Sequence, residues 1–208
     1  MPENIIHILV LGHASLGGIA LLSGLVALIA KKGSPTHKAA GKVFFWSLLT
    51  AGLTAMLVAV LPGHKSPFLL AIGIFSIYLI VSGYLALRYK QENVNFTIDR
   101  IVAIIMLVTG LGMIIGPWFM LGHFNIVLSV FGGIGLALSL QDLHTLKTPE
   151  KLKKNWMSAH LGKMIGGYIA ATTAFIVVNQ LLPGIVGWLA PTVLGIAFIN
   201  YWSRKVKV

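Results

Sequence analysis

Histidine is the side chain in this sequence with the greatest capacity for chemistry, because neutral imidazole is a common metal ligand and also ligates haem iron. The chain has seven histidines and no cysteine, which excludes thiolate ligands, disulfides and cysteine nucleophiles. Their depth in the predicted helices divides the histidines into two candidate ligand groups. The outer group is His7, His13, His64 and His123, and the inner group is His37, His144 and His160.

His13 and His160 are the strongest ligand candidates, because each lies inside an apolar run and begins a row of small residues. Offsets of four, seven and eleven residues fall on one helical face, so each histidine borders a groove that fits a neighbouring helix or a flat ligand. We predict a cofactor site formed by His13 and His160 with Gly17 and Gly167, and close helix packing is the alternative. The rows are His13, Gly17, Ala20, Gly24 and His160, Met164, Gly167, Ala171.

The depths of these two histidines indicate which cofactor they could share. At the 1.5 Å rise of a helix, His13 lies about 13 Å below the outer boundary and His160 about 8 Å above the inner one. Their axial separation is then about 10 Å, which a haem with two histidine ligands could bridge and a small metal site could not without helix tilt. Haem b or a transition metal is therefore the predicted cofactor, with electron transfer to a quinone or another redox partner as the predicted function.

A zinc site is the alternative prediction at the inner end of the same helices. His37, placed in the first inner loop, could converge with His144, His160 and Asp142. Three histidines and a carboxylate suit zinc, and an open zinc site activates water, which would make the protein an intramembrane hydrolase. The spacing is not diagnostic of zinc, since the sequence contains neither His-x-x-x-His nor His-Glu-x-x-His.

A non-catalytic role is the other functional class that the sequence leaves open. In this interpretation the protein is a membrane assembly factor or a permease-like carrier, and its histidines only satisfy helix contacts. Ion-coupled carriage has little support, because transporters of that kind place a carboxylate near the midplane and all five acidic residues here lie at helix ends or in loops. Lys163, one turn after His160, is expected to extend its ammonium group towards the inner surface.

Seven apolar runs must position these side chains. Apolar residues make up 57% of the sequence and charged residues 10%, and a helix needs about 20 apolar residues to cross a bilayer. The predicted fold is all-α, a polytopic transmembrane bundle of seven helices that forms a single integral membrane domain over residues 1–208. The runs are Ile5 to Ala30, Val43 to Pro62, Pro67 to Leu87, Ile101 to Leu121, Phe124 to Leu140, Trp156 to Val178 and Ile185 to Trp202.

The distribution of positive charge predicts the orientation of the bundle. Fourteen of the sixteen Lys and Arg residues lie at one end, and only Lys65 and Lys163 do not. Cationic loops stay on the cytoplasmic side, so we predict an outer N-terminus, a cytoplasmic C-terminus and a bacterial inner-membrane location. The net charge of +11 then faces anionic lipid headgroups. Nucleic-acid binding is disfavoured, since short loops offer no folded basic surface.

Two segments resemble a known prokaryotic membrane family, the domain of unknown function 2306. They are HASLGGIALLSGLVALIAKKGSPTHKAAGK, which contains His13 and His37, and WMSAHLGKMIGGYIAATTAFIVVN, which contains His160. The resemblance covers about a quarter of the chain, singles out these three histidines and implies no particular ligand. A looser similarity is to transmembrane two-haem cytochromes b, which hold haem with helix-borne histidines near each face. A complete set of paired axial histidines is not recognisable here, and the small-residue faces would also suit a homo-oligomer.

Overall fold

The computed structural model describes residues 3–205, which form seven α-helices and one short 3-10 helix at Ala86–Arg88, with no strand in that range. All seven helices are long and apolar enough to cross a membrane, so the all-α, seven-helix prediction is confirmed. The orientation stays a prediction, and Lys207, one of the cations behind it, lies outside the described residues. The helices are α1 Glu3–Ile29, α2 Pro35–Val60, α3 Pro67–Leu85, α4 Thr97–Leu121, α5 Ile126–Thr145, α6 Pro149–Val178 and α7 Gly184–Lys205.

Capping side chains and prolines set where several helices begin. Ser34 and Ser66 precede Pro35 and Pro67, and each serine hydroxyl accepts a hydrogen bond from a backbone N–H of the first turn. Proline suits the first helical position because its fixed φ is already helical and the N–H that it lacks would have no partner there. Asn125 caps α5 in the same way, with its side chain accepting from the backbone N–H of Leu128.

Two helices begin well before their apolar runs, α2 by eight residues and α6 by seven. α2 starts at Pro35 rather than near Val43, and α6 starts at Pro149 rather than near Trp156. Their first turns are polar and basic, so hydrophobicity detects only the part of each helix beyond them. α6 is kinked at Asn155, whose backbone is not helical, between its polar and apolar parts. The placement of His37 in a loop is therefore wrong, because this residue lies in the first turn of α2.

The helices pack around α3 and α6. α3 contacts α2, α4, α5 and α6, while α6 contacts α1, α3, α5 and α7. α1 packs mainly against α2, and α4 mainly against α5, where a Cβ atom built on Gly110 would lie 2.9 Å from the carbonyl oxygen of Gly132. Such close approach is how helices associate in lipid, where apolar surface alone does not drive helices together.

One end of the bundle, which we call the basic end, carries most of the Lys and Arg residues. The connections 30–34, 89–96 and 146–148 and the last turn of α7 lie at this end.

Candidate functional site

A cavity of about 390 Å³ opens at the basic end between α1, α2, the end of α3 and α6. Its volume falls in the range of about 300–1,000 Å³ that small-molecule sites occupy. The walls are mainly apolar and include four aromatic side chains, Phe44, Tyr84, Trp156 and Tyr168. The cavity is therefore suited to a ligand with a large apolar part.

His37 and His160 both line this cavity, and the structure fixes the tautomer of each. The Nδ1 atom of His37 donates a hydrogen bond of 2.9 Å to the carbonyl oxygen of Ala27, and that of His160 donates one of 2.8 Å to the carbonyl oxygen of Gly83. A carbonyl oxygen only accepts, so Nδ1 carries the hydrogen and Nε2 of the neutral ring holds the lone pair. Histidines that ligate metals show the same arrangement.

Helix ends explain why these two carbonyl oxygens receive imidazole. Ala27 lies in the last turn of α1 and Gly83 in the last turn of α3. The last four carbonyl groups of a helix have no partner within that helix, so they take hydrogen bonds from other donors. Lys32 is a second such donor at α1, where its ammonium group bonds to the carbonyl oxygens of Ala27 and Leu28 at 3.2 and 2.6 Å.

His13 lies in the other half of the bundle. Its Nδ1 donates a 2.9 Å hydrogen bond to the carbonyl oxygen of Ala51 in α2, which also accepts from the hydroxyl of Thr54. Ala27, the partner of His37, comes fourteen residues later in α1, about 21 Å along the helix axis. His13 does not line the cavity that His160 lines. The structure thus brings His160 together with His37 and not with His13.

The small-residue rows serve mainly for helix contacts. A Cβ atom built on Gly167 would lie 2.5 Å from Cγ2 of Ile80, so this glycine lets α6 approach α3. Gly24 in the other row is similarly close to Tyr168 and Phe44, and Ala20 is fully buried. Gly17 has no atom within 4 Å of such a Cβ position. Neither Gly17 nor Gly167 lines the cavity.

The predicted zinc set is distributed differently. His144 is exposed in the last turn of α5, and neither it nor Asp142 lines the cavity. Oδ2 of Asp142 instead accepts 2.6 Å hydrogen bonds from the ammonium group of Lys163 and the hydroxyl of Tyr78. In the part of the chain that the structure describes, no three His, Asp or Glu side chains are grouped as a metal site requires. The zinc site remains a prediction without a structural observation in its favour.

Lys163 forms an ion pair inside the bundle. Its side chain is 12% exposed, and its ammonium group joins α6 to Asp142 of α5 and to Tyr78 of α3. The expected position of this ammonium group at the inner surface is therefore wrong, because the last turn of α5 places the carboxylate of Asp142 within its reach. An intramembrane cation is commonly paired in this manner.

Positive charge surrounds the cavity. Four lysines line it, and its lining contains no Asp or Glu among the described residues. Lys32 is occupied by the carbonyl groups of α1 and lies over Trp202 at 4.5 Å, and burial lowers the pKa of its ammonium group. The other three are exposed. They are Lys38, Lys42 and Lys90.

Sequence reasoning used these three lysines only to predict orientation and missed their part in a site. The signal that could have found two of them is the segment HKAAGK, in which Lys38 follows His37 directly and Lys42 comes four residues after Lys38. Residues spaced four apart share one helical face. That rule applies here only because α2 begins at Pro35, which places Lys38 and Lys42 in the same helix.

Comparison of the chain with protein-family profiles, curated proteins and solved structures finds no match in any of the three.

Proposed function

We propose that this protein binds haem b in the cavity between α1, α2 and α6 and takes part in electron transfer within a membrane. The observation that carries the proposal is the shared state of His37 and His160. Both line one apolar cavity, and both have Nδ1 bonded to a backbone carbonyl oxygen, which leaves Nε2 as the ligand atom.

The residues of the cavity fit this cofactor in two independent respects. Haem iron binds imidazole nitrogen, and His37 and His160 would supply that nitrogen from two different helices. The macrocycle is a flat apolar ring, and the walls formed by Phe44, Tyr84 and Tyr168 offer apolar and aromatic surface. Bound haem would supply a one-electron couple for exchange with a quinone or another redox partner in the bilayer.

The protein's own groups would tune that couple. The hydrogen bonds to the carbonyl groups of Ala27 and Gly83 orient the two rings and raise the basicity of their Nε2 atoms. The apolar walls limit access of water and lower the local dielectric, which also shifts a reduction potential. A bacterial inner membrane, with the basic end in the cytoplasm, is part of the same proposal.

A carrier or assembly factor is the second candidate, because the hydrogen bonds of both histidines have a structural use. Each imidazole caps a carbonyl group at a helix end, as Lys32 does at α1. If capping were their whole contribution, the cavity would hold an apolar molecule without ligation. The two candidates differ in one respect, namely whether a nitrogen atom binds iron.

Absorbance of purified protein tests the proposal. The protein is expressed with a haem precursor added, purified in detergent and analysed for haem and metals. We expect a Soret band and one haem per chain, lost in His37→Ala and in His160→Ala and retained in His144→Ala, whose side chain is exposed outside the cavity. Retained helicity and a monodisperse elution profile show that the variants fold.

Each other outcome contradicts the proposal in an identifiable way. Colourless, metal-free wild-type protein after supplementation refutes haem binding and favours the carrier. Stoichiometric zinc without haem favours the hydrolase. Loss of haem in His13→Ala with retention in His37→Ala would move the site to the His13 and His160 pair that the sequence predicted.

A further inference from the structure

Three exposed lysines border the mouth of the cavity, and we call them the lysine rim: Lys38, Lys42 and Lys90. Lys38 and Lys42 are four residues apart on α2, so they lie on one face about 6 Å apart along its axis. Lys90 follows the 3-10 helix at the end of α3, and its ammonium group lies 5.0 Å from the ring centroid of Trp156 in α6. Two separate segments thus bring cations to one opening.

The lysine rim takes no part in the ion pairs that the structure describes, including that of Glu92, two residues after Lys90. In the described part of the chain, the ion pairs involve Arg88, Lys153 and Lys163, and none involves a rim lysine. Lys32, the fourth lysine of the lining, already donates to carbonyl groups of α1. The cavity therefore combines an apolar interior with a mouth whose three exposed lysines form no ion pair in the described part of the chain.

We propose that the lysine rim binds the acidic groups of the molecule whose apolar part occupies the cavity. This inference rests on the proposed function, under which those groups are the two propionate carboxylates of haem. Ammonium-to-carboxylate hydrogen bonds are roughly twice as strong as neutral ones, so the rim also sets the orientation of the ligand. In that orientation the carboxylates would lie at the basic end, and the apolar part of the ligand would lie among the apolar side chains of the cavity.

A porphyrin without iron separates the rim from the histidines, because its binding needs no axial ligand. The haem-free protein is reconstituted into phosphatidylcholine nanodiscs and titrated with metal-free protoporphyrin IX and with its dimethyl ester, which has the same ring and no carboxylate. Porphyrin fluorescence gives the two dissociation constants, and empty nanodiscs give the background of partition into lipid.

We expect the free acid to bind at least about tenfold more tightly than the ester. The triple variant Lys38→Gln, Lys42→Gln, Lys90→Gln should bind the acid and the ester equally. The matched control variant removes the same charge at the same end of the bundle, outside the cavity, and should keep the wild-type preference. It carries the substitutions Lys147→Gln, Lys151→Gln and Lys154→Gln.

Two results would overturn the inference. One is equal affinity for acid and ester in the wild type, or a preference that the rim variant keeps. The other is lysine-dependent retention of phosphatidylglycerol over phosphatidylcholine without a preference for the porphyrin acid, which would assign the rim to a lipid phosphate. The haem proposal is tested separately from this inference. Colourless protein that prefers the porphyrin acid in a rim-dependent manner would refute haem binding and support the lysine rim as a site for acidic groups.

Discussion

Replacement of Lys163 by methionine is the sharpest test of how the bundle is held together. The ammonium group of Lys163 and the hydroxyl of Tyr78 both lie 2.6 Å from Oδ2 of Asp142, and these side chains link α6, α3 and α5. Lys163→Met removes the cation, keeps most of the side-chain volume and leaves the carboxylate with Tyr78 alone. The contribution of charge is thereby separated from that of packing.

The structure sets the expected magnitude. Removing one partner of a fully buried ion pair costs about 3–5 kcal/mol, because the remaining charge is left without compensation. Asp142 is 28% exposed and keeps its bond to Tyr78, which together reduce that cost. We therefore expect Lys163→Met to lower the free energy of unfolding by about 2–3 kcal/mol. The double variant Lys163→Met, Asp142→Leu should lose less than the single variant, since no unpaired charge remains.

Reversible unfolding in mixed detergent micelles at increasing dodecyl sulfate provides the measurement. Lys153→Met is the matched control, because it breaks an exposed ion pair of 3.0 Å with Glu92, in which the two side chains are 49% and 83% exposed. That pair should contribute little to stability, because the surrounding water screens the two charges. If Lys163→Met costs no more than Lys153→Met, or the double variant costs more than the single one, the reasoning is refuted.

Two further predictions use the same unfolding assay. Gly167→Ala should lower the free energy of unfolding by about 1–3 kcal/mol, because its Cβ would lie 2.5 Å from Cγ2 of the fully buried Ile80. Gly17→Ala is the control and should be neutral or slightly stabilising, because no atom lies within 4 Å of its Cβ position. Equal losses in the two variants would contradict this account. Tyr89→Phe should cost about 1.5 kcal/mol, since Asp99 loses a 2.8 Å hydrogen bond. Burial and Asp99 raise the pKa of Tyr89 in the folded protein. The contribution of Tyr89 to stability is therefore complete below its unfolded pKa of about 10, and it declines at higher pH because the unfolded state loses the phenolic proton first. A cost of Tyr89→Phe that does not shrink above pH about 10 would contradict the second prediction.

The sequence predicts the number of helices well, because each apolar run has to satisfy its own backbone inside lipid. It predicts helix ends poorly where a helix extends beyond its apolar part. α2 begins at Pro35 because Ser34 caps it and proline starts it, although the residues up to Lys42 are mostly polar or small. Capping signals, rather than hydrophobicity, carry the information there.

That error in α2 also explains what sequence analysis could predict of the site. The sequence indicates both His37 and His160 as candidate ligands, but depths counted along the apolar runs pair His160 with His13. Depth fixes the position of a side chain along the membrane normal and says nothing of which helices are neighbours. With α2 extended, His37 faces the last turn of α1, and the cavity beside α6 is lined by both His37 and His160.

Capping alone does not require imidazole at these two positions. The carbonyl group of Ala27 accepts from the ammonium group of Lys32 as well as from His37, so a simple donor already meets the need there. Imidazole differs from an ammonium group in offering a second nitrogen, and at both His37 and His160 that nitrogen belongs to a residue lining the same cavity. Because one hydrogen bond fixes which nitrogen is protonated, the capping contact is also what prepares the other for a ligand. The structural and the functional interpretations of these histidines therefore predict the same hydrogen bonds, and only the occupancy of Nε2 separates them.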